Sequence, residues 1–104
     1  FLPYQAARID SGYLSGQGRP TELKREKPSD YLPLMYYDTV AVSSPVVRLM
    51  KDIAGCDHVL LGSDYVFAGP KRQLIENVEN AGLSEEEMSL ICCKNARKLF
   101  LKEL

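Results

Sequence analysis

The chain has 104 residues, a hydrophobic share of 45% and a net charge of −1. That length supports one small domain with a real core. The near-neutral charge offers no field to draw in nucleic acid or an anionic membrane surface, and no apolar run approaches the roughly 20 residues of a membrane span.

Residues 3–13 read as a short helix, with Pro3 suited to its first turn and Tyr4, Ala6, Ala7 and Ile9 as its apolar content. Residues 14–30 read as a connecting loop, punctuated by Gly16, Gly18, Pro20 and Pro28. The run Lys24-Arg25-Glu26-Lys27 within it reads as a solvated face.

Residues 34–42 are rich in β-formers and apolar on both faces except at Asp38 and Thr39, as in a parallel strand covered on both sides. Ser43-Ser44-Pro45 then predicts a capped helix start. Val46, Leu49, Met50 and Ile53 recur at helical spacing up to a stop at Gly55. A second buried strand is expected over His58–Tyr65, ending in polar residues. A loop leads to a helix over 71–81 with Leu74, Ile75 and Val78 on one face. Ser84 and Glu87 have capping-box spacing for a last helix with a stripe of Met88, Ile91, Cys92, Ala96, Leu99 and Phe100.

The strand–helix–strand order implies a right-handed parallel crossover, hence an α/β fold. Two strands are few for a parallel sheet, which needs neighbours and cover on both faces. The chain therefore reads as a slice of something larger, and its start at Phe1 rather than Met points the same way.

Cys56, Cys92 and Cys93 fit no zinc spacing and read as buried free thiols of a cytosolic protein. A redox role for Cys92-Cys93 is the alternative, and it requires a low thiol pKa at one of them. His58 lies at the start of its strand, away from the end where functional groups of parallel sheets gather, and is not read as a ligand. Asp64 does sit at such an end. There it could bind a metal ion and accept a proton, or it could cap the following turn; its position does not choose. Asp38 reads as structural, either a buried carboxylate or a strand-end hydrogen-bond acceptor.

Leu-Gly-Ser-Asp-Tyr at 61–65 resembles the last-strand motif of the amidohydrolase-related family. More narrowly, it is similar to the branch containing 2-amino-3-carboxymuconate-6-semialdehyde decarboxylase, where the motif runs Gly-Ser/Thr-Asp-Tyr-Pro-Phe. Here Val66 stands in place of the Pro, and Phe67 is retained. Tyr37-Asp38-Thr39 resembles the family's seventh strand, and Gly55-Cys56-Asp57-His58-Val59 the lead into the eighth. Asn95-Ala96-Arg97-Lys98-Leu99-Phe100 resembles the closing helix, and Phe1-Leu2-Pro3-Tyr4 with Arg8 the segment after a His-Gly-Gly-Gly stretch.

The resemblance implies the C-terminal portion of a (β/α)8 barrel over 1–104, with its last two strands and their helices. It implies a metal-dependent hydrolase or non-oxidative decarboxylase of a small carboxylated or aromatic substrate. Asp64 is then catalytic and a ligand of a divalent metal, zinc by expectation. Arg8 matches an arginine that binds a substrate carboxylate in the neighbouring subunit's site; the bland alternative is a surface or interface salt bridge. The family's His-x-His pair and further histidine have no counterpart here, since His58 is the sole histidine. The chain alone is therefore expected to show no turnover, and to associate as a homo-oligomer or through exposed strand edges. The competing reading is a non-catalytic α/β protein-interaction domain, which predicts a stable monomer without metal.

Overall fold

The computed structural model describes residues 1–16, 22–40, 42–67 and 71–102. Gly18 and Pro20, named above as loop punctuation, lie outside the described residues. The chain divides into two compact units, Phe1–Met35 and Tyr36–Leu104.

In the first unit, α1 spans Leu2–Leu14 with proline in its first turn. The predicted loop ends early, because Pro28–Leu34 forms a 3-10 helix. Asp10 of α1 holds the start of that helix: its carboxylate accepts the Ser29 N–H at 2.8 Å and the Ser29 hydroxyl at 2.6 Å. These bonds, led by the Ser29 hydroxyl, keep the Asp10 carboxyl below its ordinary pKa, and Lys27 at 3.8 Å adds to the effect. Leu32 is this unit's buried hydrophobic side chain among the described residues.

The second unit contains the predicted strand–helix–strand order. Strand β1 (Tyr37–Asp38) pairs in parallel with β2 (Val59–Leu60), Tyr37 against Val59 and Asp38 against Leu60. Both are far shorter than expected. Among the described residues the sheet has two strands, so a ladder forms only where these two run side by side. Between them α2 spans Ser44–Ala54 and stops at Gly55, whose φ of 83° suits glycine. A 3-10 turn over Cys56–His58 leads into β2. His58 stacks on Tyr36 with ring centroids 4.5 Å apart.

Helix α3 spans Lys71–Glu79. Helix α4 (Glu85–Ser89) then runs through a π turn at Leu90–Lys94 into α5 (Asn95–Phe100). The capping box predicted at its start is present. The Ser84 hydroxyl accepts the Glu87 N–H at 3.2 Å, and the Glu87 carboxylate accepts the Ser84 N–H at 2.9 Å.

The core of this unit joins Val47, Met50, Cys56, Val59, Val78, Ala81 and Ile91. The inner face of α2 is thus Val47 and Met50, and the expected Val46 and Leu49 are only partly covered, at 37% and 40% exposed. On α3, Leu74 and Val78 are buried and Ile75 is exposed. On the last helix Ile91 and Asn95 face inward, whereas Cys92, Leu99 and Phe100 do not. The π turn explains the last difference: it breaks the 3.6-residue phase on which the expected stripe rests. Cys56 is buried as expected, and Cys92 and Cys93 are exposed. No helix among the described residues is long and apolar enough to cross a membrane.

Candidate functional site

Because β1 and β2 are parallel, their C-terminal ends lie at one edge, and both leave it with an aspartate close by. The two carboxylates are treated differently. Asp38 closes β1, and its Oδ1 accepts the Val40 N–H at 2.8 Å, a short turn that ends the strand. It is therefore the strand-end acceptor and not a buried carboxylate.

Asp64 lies four residues past β2. Its carboxylate is exposed and has no hydrogen-bond or ion-pair partner among the described residues. It does not cap the turn that follows; that turn closes through the backbone, with the Asp64 carbonyl accepting the Phe67 N–H at 2.8 Å. The Asp64 φ of 45° is left-handed, a conformation that Asp and Asn tolerate better than most residues. Val66 has φ 137°, beyond the reach of a proline ring fixed near −65°. The turn after Asp64 thus has a shape that the expected Pro at this place does not allow.

The approach to Asp64 is tightly built. Leu61 donates its N–H to the Ile91 carbonyl of the π turn at 2.9 Å, and Gly62 donates to the Thr39 hydroxyl at 3.2 Å. A Cβ on Gly62 would lie 2.6 Å from the Val40 Cγ2 and 3.2 Å from the Asp38 Cβ. Only glycine lets the two strand ends approach so closely. Behind them, Asn95 is buried and its amide donates to the carbonyls of Cys56 at 2.6 Å and Val59 at 2.7 Å. Asn95 and Thr39 lie within the motifs quoted above, and their bonds reach partners 36 and 39 positions away for Asn95 and 23 for Thr39. A polar residue inside an apolar helical stripe was the available signal for Asn95.

Arg8 lies on α1, in the first unit, and Asp64 in the second. Its side chain is exposed and lines an open groove of about 600 Å³ with Phe1, Gln5, Ile9, Gly12, Tyr13 and Pro28. Among the described residues it forms no salt bridge. Cys56 and Cys92 lack the lowered thiol pKa that a redox role requires. Burial pushes the Cys56 and Cys92 thiols up, and Glu87 and Glu79 respectively add repulsion.

Residues 9–102 match the family described as Amidohydrolase. The chain belongs to this family. Several solved structures share its fold. The crystal structure of 5-carboxyvanillate decarboxylase from Sphingomonas paucimobilis matches with a TM-score of 0.83 at 23% identity, over 96% of this chain and 30% of that one. IDCase of Metarhizium anisopliae, in apo form, matches with a TM-score of 0.75 at 27% identity, over 98% of this chain and 32% of that one. A dihydroxybenzoic acid decarboxylase from Polaromonas sp. JS666, with bound manganese and the inhibitor 2-nitroresorcinol, matches with a TM-score of 0.76 at 25% identity, over 99% of this chain and 32% of that one. The amidohydrolase chain thus spans 30–32% of the length of these proteins and covers part of their barrel fold.

Proposed function

We propose that this amidohydrolase chain is the C-terminal portion of a (β/α)8 barrel, with residues 1–104 supplying its last two strands and their helices. The parent protein, in this reading, is a metal-dependent non-oxidative decarboxylase or hydrolase of a small carboxylated aromatic substrate. The placement of Asp64 carries the reading: an exposed carboxylate, unpartnered among the described residues, at the edge where parallel strands end. Between the two reactions, decarboxylation is supported by the Polaromonas relative, which is named a decarboxylase at 25% identity.

A carboxylate so placed fits a divalent cation as one donor of several. The described residues hold no group of three or more His, Cys, Asp or Glu side chains that could bind a metal ion, so the remaining ligands would come from elsewhere in the parent protein. Zinc or a similar ion is proposed; when bound, it supplies Lewis acidity. Asp64 would help hold the ion and would move a proton. In decarboxylation it would start protonated and give that proton to the ring carbon that loses carbon dioxide; in hydrolysis it would start ionised and accept a proton from the attacking water. Arg8 would bind a substrate carboxylate in the neighbouring subunit's site through two parallel N–H donors.

With one carboxylate from the set, the isolated chain would not turn over. Each of β1 and β2 has an edge unpaired among the described residues, which favours association into a homo-oligomer or with the rest of the barrel. The free thiols agree with a cytoplasmic location.

The test replaces Asp64 by Asn in the full-length protein and reads bound metal by elemental analysis and carbon dioxide release from a panel of hydroxybenzoates. Loss of both is expected. Wild-type metal content and rate would overturn the reading, and hydrolysis of an ester or amide panel with no carbon dioxide release would replace decarboxylase by hydrolase.

A further inference from the structure

The parallel ladder changes hands at Thr39. Its N–H donates to the Leu60 carbonyl at 3.0 Å in the ordinary way. In a regular parallel ladder the next bond runs from the Gly62 N–H to the Thr39 carbonyl. Here the Gly62 N–H goes instead to the Thr39 hydroxyl oxygen at 3.2 Å. A side chain thus replaces its own backbone at the step where the strands part. Thr39 is 1% exposed, so water does not compete for this bond.

The bond grips the chain two residues before Asp64. Gly62 is pressed against Val40 and Asp38, and the Asp38 carboxylate is itself fixed by the Val40 N–H. Beyond Gly62 the chain turns, with the Phe67 N–H donated to the Asp64 carbonyl at 2.8 Å. The direction in which the chain leaves β2 is therefore set at the Thr39 hydroxyl.

We infer that Thr39 is a positioning residue, whose buried hydroxyl fixes the Asp64 carboxylate at the place where it meets the metal. This rests on the reading of Asp64 as a ligand. Removing the hydroxyl while keeping the shape, as in Thr39→Val, leaves the Gly62 N–H without an acceptor and frees the strand exit. Thr39→Ser keeps the oxygen and loses only a methyl group.

The probe is manganese(II) alone, titrated into the metal-stripped full-length protein with the free ion followed by electron paramagnetic resonance. Thr39→Val is expected to weaken manganese binding about tenfold, in the range seen when supporting partners of ligands are removed. Thr39→Ser is expected to bind as the wild type does. Asp64→Ala, titrated alongside, separates the two claims. If Asp64→Ala loses affinity and Thr39→Val does not, the inference falls and the ligand reading stands. If Asp64→Ala binds as the wild type, the ligand reading falls and takes the inference with it. Equal weakening by Val and Ser would show that keeping the hydroxyl does not preserve binding and would overturn its role. If Thr39→Val does not fold, Thr39→Ala takes its place; failure of both to fold would make Thr39 structural and overturn the inference.

Discussion

Asn95 holds Val59 from behind: its amide donates to the Val59 carbonyl at 2.7 Å, and with its other hydrogen to the Cys56 carbonyl at 2.6 Å. Both hydrogens of one side chain are thus spent on the entry to β2. Asn95 is 3% exposed, so neither carbonyl has ready access to water as a substitute.

Asn95→Leu keeps the approximate size and removes both donors. At about 1 kcal/mol for each net hydrogen bond, the expected loss is about 2 kcal/mol, with more if the carbonyls stay dry. Urea denaturation of the chain measures it, and an unchanged midpoint would show that the clamp contributes nothing. Asn95→Asp is expected to be worse at neutral pH, where a carboxylate faces two carbonyl oxygens, and to recover in part on acidification, when the protonated carboxyl can donate once.

Gly62→Ala forces a methyl group to within 2.6 Å of the Val40 Cγ2. Overpacking of this kind costs about 1–3 kcal/mol. Val40→Ala removes the obstructing atom, so the double variant should be less destabilised than the sum of the singles. Strict additivity in a double-mutant cycle would mean that the two side chains do not meet.

The Lys51 ammonium lies 2.7 Å from the Glu87 carboxylate. The hydrogen bond from Lys51 is the main cause that lowers the Glu87 pKa from its ordinary 4.5, and the same bond raises Lys51 from 10.5. The lowered carboxyl stabilises the fold above its unfolded value, and that contribution is lost as pH falls through the folded value. The raised ammonium stabilises below its unfolded value, with loss as pH rises through the folded one. Between these limits the pair is intact. Lys51→Met is therefore expected to cost stability at pH 7 and progressively less below pH 4; a cost that is constant from pH 7 to pH 3 would rule the pairing out.

Cys56 is buried, and Cys92 and Cys93 are exposed. A thiol reagent such as DTNB should modify two thiols in the native chain and the third only after denaturation. Because partial desolvation still raises the pKa of the exposed Cys92, its labelling should be slow at neutral pH and speed up in alkali. Rapid labelling of Cys56 in the native state would contradict the core described above.

Local chemistry was legible in the sequence. The Ser84–Glu87 box, the stop at Gly55 and the start of α1 at its proline each depend on residues within a turn of one another, and each is present. The order of strands and helices followed from apolar runs in the same way. What the sequence hid depends on distant partners. The 3-10 helix at Pro28–Leu34 is pinned by Asp10, 19 residues before Ser29. The lengths of β1 and β2 depend on which strands lie beside them, not on their own composition. On α2, Val46 and Val47 are equally apolar neighbours, and only the packing of α3 and β2 decides which one is buried. At the candidate site, Asp64 was visible from its strand-end position. The hold of Thr39 on Gly62 spans 23 residues and was not.

The π turn at Leu90–Lys94 has a consequence for length changes in the last helix. A π turn takes up one residue more than an α turn over nearly the same arc, so deleting one residue there restores the α spacing and leaves the helix beyond it close to its present phase. Asn95 then keeps its reach to the Cys56 and Val59 carbonyls. The same deletion in the α turn before it, Glu85–Ser89, would instead rotate Asn95 by about 100° away from them. The last helix is thus more tolerant of shortening at its irregular turn than in its regular ones.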